Sequence, residues 1–323
     1  MKAIVQDRYG SPEVMELRDI QRPAVGDDQV LVRVRAAAVN PPDWAGVTGV
    51  PYIARVLFGL RKPRNGVRGS DVSGTVEAVG KKVTRLQVGS EVFGTGVATF
   101  AEFALASQKN LVGKPDSITF EQAAAAPMSA LVALQALRDH GNVHPGQKVL
   151  INGAGGGIGT FAVQIAKSLG AEVTGVCSTS KLDLVQSIGA DHVIDYTRED
   201  FTQGDQRYDL ILDNVSNHSL SALARVLTAR GLLLPNGGRF DKRLLANAPV
   251  LLLQAPLLSL LVHRSIRTIQ LAPSQDDWLA LSGLLESGKV TPVIGATYPL
   301  SRAAEAISYF GRGHALGKVV III

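Results

Sequence analysis

Apolar and polar positions alternate in short runs through the first third of the chain. Val30 to Val34, Val72 to Val79 and Phe100 to Leu105 are strand-like segments separated by Gly, Pro and Asp turns, a spacing that predicts a small all-β barrel. From Phe120 onward the period changes, and helices and strands alternate. Val149 to Ile151 forms an apolar strand, Ile158, Ala162, Ile165, Ala166 and Leu169 fall at helical spacing, and Ala171 to Cys177 is strand-like again. His192 to Ile194, Tyr208 to Leu212, Gly231 to Leu234 and Ile266 to Leu271 add strands to these. The set predicts a six-stranded parallel sheet covered on both faces, the full doubly wound count.

After Pro273 the pattern gives helices over Trp278 to Leu285 and Ala303 to Phe310, then a strand from Lys318 to Ile323 that is expected to return to the first domain. Val250 to Val262 (VLLLQAPLLSLLV) is the most lipid-like run, but Gln254 and Pro256 interrupt it. It is shorter than the ~20 residues that span a bilayer and reads as a buried or interface helix.

Between the first strand and first helix of the alternating region lies GAGGGIG, with Gly153, Gly156, Gly157 and Gly159 spaced G-x-x-G-G-x-G around Ile158. A glycine cluster alone is a flexible turn. Placed between a strand and a helix, it lets the backbone approach a pyrophosphate, which the helix N-terminus then binds with free N–H groups. An NAD site commonly carries an acid at the end of the next strand, to accept from the ribose 2′-hydroxyl. Here that end reads Cys177, Ser178, Thr179, Ser180, Lys181. Hydroxyls and an ammonium suit a 2′-phosphate, so NADP(H) is the expected cofactor.

The length of 323 residues fits two domains, and a single cysteine excludes a disulfide framework or a cysteine-rich zinc site. A reducing cytoplasm is the implied compartment, and MKAIVQDRYGS is too polar for a secretory signal. The net charge of +5 is partly concentrated in Arg55, Arg61, Lys62, Arg64 and Arg68. Aromatic residues make up only 5% of the chain and no nucleic-acid motif accompanies the cluster, so a solvated face, or one attracting an anionic cofactor or substrate, is the better reading.

The ordered set MKAIV, GSDVSGTVEAVG (69–80), VGSEVFG (88–94), GAGGGIG and GKVVI resembles the medium-chain dehydrogenase/reductase superfamily, in particular its zinc-free, quinone-oxidoreductase-like branch. The resemblance implies an α/β fold with an N-terminal GroES-like β-barrel domain over 1–123 and 273–323 and a Rossmann NADP(H)-binding domain over 124–272. It also implies a homodimer that moves hydride from NADPH to a quinone or an activated double bond. Zinc-dependent relatives carry ligands where this chain has Asn40, Ser70 and Met128, a set that makes no ordinary zinc site. No metal is expected.

Carried over by position, the resemblance puts Ser178, Lys181 and Tyr196 at the 2′-phosphate, Asn214 and Val215 along the adenosine half, and Asn236, Gly237 and Gly238 at the nicotinamide carboxamide. Val132 stands where the family often has a threonine hydroxyl. No nucleophile or metal-hydrolase motif is present, and the histidines share no pattern. Hydride transfer needs little acid–base equipment. Asn40, before Pro41 and Pro42, is the candidate to orient substrate or nicotinamide, Tyr52 the candidate donor to a carbonyl oxygen, and solvent the source of the proton. Two alternatives stay open: a carbonyl or alcohol oxidoreductase, and a cofactor-binding protein with little turnover.

Overall fold

The computed structural model describes residues 1–237 and 265–323. These form two compact units, one of Met1–Leu131 with Pro273–Ile323, the other of Val132–Ala272.

The first unit is built around the ten-residue strand Gln29–Ala38. It pairs antiparallel with Asp71–Val79, Phe103–Ser107 and Lys318–Ile322. Lys318–Ile322 in turn pairs parallel with Ile294–Pro299, so the tail completes the first unit's sheet. Glu91–Thr95 and Leu111–Gly113 extend the sheet on the other side. Val30, Val32, Val34, Val72, Val76 and Val92 pack into one core, as alternation of β-branched residues on a half-buried sheet requires. At the other end of the strand, Ala36 and Ala38 are small enough for Ala124 and Ala125 to pack on them. That contact keeps the helix Phe120–Ala125 with the first unit and carries its boundary to Leu131, beyond the 123 read from the sequence.

The second unit holds a six-stranded parallel sheet in the order His192–Asp195, Glu172–Cys177, Lys148–Asn152, Tyr208–Asp213, Leu227–Pro235, Ser265–Ile266. The strand order reverses at Lys148–Asn152, which creates a switch point at the carboxyl ends of that strand and Tyr208–Asp213. Leu150, Val176, Ile211 and Leu233 form the core under Leu223 and Val226.

Some expected elements move. Phe100 and Ala101 are off the strand, which runs Phe103–Ser107, because the Phe100 N–H is committed to the Arg68 carbonyl. The strand expected over Ile266 to Leu271 is only Ser265–Ile266. Its pairing ends when the Arg267 N–H reaches Leu233, and the Ala272 N–H turns to the Gln135 side chain. Gly238, His263 and the apolar run Val250 to Val262 lie outside the described residues.

Candidate functional site

In the second unit, Lys148–Asn152 leads through the glycine turn into the helix Gly157–Ser168, capped by Gly156. Gly153 takes φ +80°, a left-handed conformation that favours glycine. The Gly153 and Ala154 N–H groups both donate to the Val176 carbonyl at 3.0 Å, tying the turn to the neighbouring strand. At Gly159 a Cβ would fall on the Gly153 carbonyl oxygen and lie 2.7 Å from Ala154 Cα. A side chain there would push the helix off the turn. The bare turn thus leaves the N–H groups of Gly157, Ile158 and Gly159 at a helix start with its positive dipole end.

Ser178 precedes the short turn Thr179–Lys181, and its hydroxyl lies 3.3 Å from that of Ser180. The stem of Lys181 lies across the glycine turn: a Cβ on Gly155 would be 2.6 Å from Lys181 Cδ. Burial pulls the Lys181 ammonium below its usual pKa. Tyr196 joins the same corner, its N–H donating to the Cys177 carbonyl at 3.1 Å. Ser178, Lys181 and Tyr196 are therefore assembled around one strand end.

Sequence reading missed an acid there. Asp195, beside Cys177 in the register, accepts from Thr179 Oγ1 at 2.5 Å and Thr197 Oγ1 at 2.7 Å, and Arg198 Nε lies 3.6 Å away. The Thr179 hydroxyl bond first, with Thr197 and Arg198 helping, holds its carboxyl below the usual range. The charge is committed to these partners. Asp195 follows its strand's apolar core, so nothing in the sequence marked it as a neighbour of Thr179.

At the switch point, Asn152 Nδ2 donates to Asp213 Oδ1 and to Asn217 Oδ1, each at 2.8 Å. Asp213 Oδ1 also accepts the N–H groups of Val215 and Ser216, at 3.1 and 3.0 Å. Asn236 Nδ2 donates to Asn214 Oδ1 at 2.7 Å, and Ser216 Oγ to the Gly237 carbonyl at 2.7 Å. Asn214, which the resemblance put along the adenosine, and Asn236, which it put at the carboxamide, are thus hydrogen-bonded neighbours. Val215 reaches back over the turn, since a Cβ on Gly153 would be 2.8 Å from its Cγ2. Buried Asn152 and Asp213 hold this shelf rigid. Their only sequence signal is a polar residue ending each apolar strand.

The first unit holds a buried polar cluster. Asn40 begins the helix Pro41–Thr48, and Asp43 Oδ2 accepts its backbone N–H at 2.8 Å. The Asn40 side chain is 1% exposed and turns inward, where Lys318 Nζ donates to Asn40 Oδ1 at 2.6 Å, Ser129 Oγ at 3.0 Å and the Val39 carbonyl at 3.3 Å. Asp71 Oδ2 is 3.7 Å from that nitrogen, and Asp71 Oδ1 accepts the Met128 N–H at 3.2 Å. Burial pushes Asp43 up to about 7 and Asp71 up to about 6, against the pull of Lys318. Tyr52 is not in this cluster. It is 59% exposed, with the Arg55 guanidinium 4.8 Å from its ring centre. Val132 is buried.

Two family models match the chain: an alcohol dehydrogenase GroES-like domain over residues 26–116 and a zinc-binding dehydrogenase domain over 188–321. The chain is 32% identical to a chloroplastic NADPH-dependent alkenal/one oxidoreductase of Arabidopsis thaliana, over 99% of its own length and 79% of the relative's. It is 30% identical to the quinone oxidoreductase of Homo sapiens, over 100% and 98%. The solved quinone oxidoreductase of Coxiella burnetii superposes with a TM-score of 0.87 at 28% identity, over 100% and 99% of the two chains.

The metal in one model's description does not fit these residues. Asn40, Ser70 and Met128 offer no thiolate or imidazole. The Lys318 ammonium, bonded to Asn40 and Ser129, already places a positive charge against one of these three side chains. Among the described residues, no group of His, Cys, Asp and Glu could hold a metal ion. Identity of 30% and above across nearly the whole length, on the same fold, has one meaning: the chain belongs to the medium-chain dehydrogenase/reductase superfamily, in its quinone-oxidoreductase-like branch.

Proposed function

We propose that this protein reduces quinones or α,β-unsaturated carbonyls by hydride transfer from NADPH, without a metal. The observation that carries the reading is the Lys181 stem laid across Gly155 in a turn whose glycines leave a cradle. It brings a cation beside Ser178 at the strand end where a 2′-phosphate would be recognised, and Asp195, the acid at that end, is committed to Thr179 and Thr197. The activities named for the human and Arabidopsis relatives support the same chemistry.

In this reading NADPH supplies the hydride, and the chain supplies its orientation. The N–H groups of Gly157, Ile158 and Gly159 bind the pyrophosphate. Ser178, Lys181 and Tyr196 bind the 2′-phosphate. The shelf of Asn214, Val215, Asn236 and Gly237 lines the rest of the dinucleotide, and its internal hydrogen bonds remove the need to reorganise. Asn40 acts from within the Lys318 cluster, shaping the substrate side as the acceptor of a buried ammonium. Tyr52 is the exposed donor for a substrate oxygen. Hydride goes to the β-carbon of an enone, and water supplies the proton to the α-carbon. The protein is further read as a cytoplasmic homodimer, which light scattering on the purified chain tests.

The reaction is tested with NADPH deuterated at the transferred C4 position. Deuterium is expected at the β-carbon of an enone, and heavy water is expected to label the α-carbon. Label at a carbonyl carbon would make the protein a carbonyl reductase. Tight NADPH binding without consumption by any quinone, enone or aldehyde, even in a single turnover, would make it a binding protein.

A further inference from the structure

Between the helix Pro41–Thr48 and the strand Asp71–Val79 the chain makes an excursion of which the reductase reading uses only Tyr52. Its short helix, Ala54–Phe58, and the turn after it leave Val56 at 59%, Leu57 at 76% and Leu60 at 69% exposure. Side chains of this size normally find cover, and a cluster of them on a surface marks an interaction site. Arg61, Lys62 and Arg64 follow immediately and are exposed. None of the three makes an ion pair among the described residues. No acid occurs between Asp43 and Asp71. Lys62 has the field of Asp7 near it, but that carboxylate is bonded to Arg18 at 2.7 Å.

The excursion is held in shape. The Tyr9 hydroxyl donates to the Gly59 carbonyl at 2.6 Å, Arg55 Nε to the Gly49 carbonyl at 3.1 Å, and the Arg64 N–H to the Phe58 carbonyl at 2.7 Å. Arg68, buried, bonds Gln6 Oε1 at 3.1 Å and holds its guanidinium 5.6 Å from the Phe58 ring centre. Phe58 and Arg68 therefore anchor the inner side, while Val56, Leu57 and Leu60 are left outward beside the basic turn. An apolar tip edged by unpaired cations, with no acid among them, matches a surface that is apolar within and anionic at its rim.

We infer that residues 56–64 form a docking surface for an anionic lipid bilayer, with Val56, Leu57 and Leu60 entering the interface and Arg61, Lys62 and Arg64 meeting the headgroups. Apolar burial and headgroup attraction add in such peripheral binding, and neither alone suffices for stable attachment. The inference does not rest on the reductase reading, since docking needs neither cofactor nor substrate.

The test is co-sedimentation of the full chain with phosphatidylcholine vesicles and with vesicles of phosphatidylcholine and phosphatidylglycerol. Binding is expected only where phosphatidylglycerol is present, falling steeply as salt is raised from 0.05 to about 0.5 M. The charge variant Arg61→Ser/Lys62→Ser/Arg64→Ser should weaken partitioning about 100-fold, from roughly one power of five per cation. The apolar variant Leu57→Glu/Leu60→Glu should abolish it. Retained NADPH binding and an unchanged circular dichroism spectrum establish that each variant is folded. Absence of binding to either vesicle, salt-insensitive binding to both, or variants that partition like the parent would overturn the inference. So would an apolar variant that turns an oligomer into a monomer while the parent ignores vesicles, which would make this face a contact between copies of the chain.

Discussion

Lys181 and Gly155 face each other, so the preference for NADPH has a residue-level test. Hydrogen bonds to a charged group contribute roughly 1.5–3 kcal/mol, so Lys181→Ala should weaken NADPH binding about 10- to 100-fold and leave NADH nearly unchanged, as read by cofactor fluorescence. Equal loss for both would remove Lys181 from the phosphate site. Asp43 makes a second test. Its carboxyl is raised to about 7 by burial, against about 3.9 in the unfolded chain. The folded state binds the proton more tightly, so this contribution to stability is full below about pH 4 and is lost as pH rises through about 7. Unfolding midpoints should fall over that window in the parent. In Asp43→Asn the fall should be smaller, with the part due to Asp71, raised to about 6, left; an unaltered slope would assign it elsewhere. Sequence exposed one of these sites and hid the other. Ser178 and Lys181 stand three residues apart on a strand end, whereas Lys318 meets Asn40 across 278 residues and was visible only as part of a motif.

The strand–turn–helix element depends on Gly159 for its geometry as well as for the N–H it would offer the pyrophosphate. Gly159→Val would set its side chain on the Gly153 carbonyl and separate the turn from the helix start. NADPH and NADH binding should both be lost, in contrast to Lys181→Ala, and a titration with each cofactor distinguishes the two. The parallel sheet was legible because its strands are buried on both faces and read as apolar runs such as Val149 to Ile151 and Leu210 to Leu212. Ile294–Pro299 was not, because it lies at the edge of its sheet and alternates half-buried and exposed positions among Gly295, Thr297 and Pro299. The helix Pro41–Thr48 was hidden by its opening prolines and by Gly46. They read as loop residues, although proline is tolerated at the first positions of a helix.

At the scale of the molecule, metal independence is the outcome expected from the ammonium that Asn40 and Ser129 hold. Dialysis against a strong chelator should leave quinone turnover intact, and metal analysis should find zinc well below one per chain. Stoichiometric zinc, with activity lost on chelation and restored by zinc, would refute it. The division into two units is less legible than either sheet. The change from alternating to helical period falls near Phe120, while the contacts of Ala124 and Ala125 keep the chain with the first unit to Leu131.

The first unit is also divided in time. Lys318–Ile322 takes its place between Gln29–Ala38 and Ile294–Pro299, and its lysine reaches the carboxylate of Asp71 and the amide of Asn40. On the ribosome, Gln29–Ala38, Asn40 and Asp71 wait while roughly 250 to 280 intervening residues are made, including all of Val132–Ala272. At about 5–20 residues per second, the wait lasts on the order of ten seconds or more. The nucleotide-binding unit can be complete before the sheet made first is closed, and until then the Ala36–Ala38 end of that strand is open on one edge to other nascent chains.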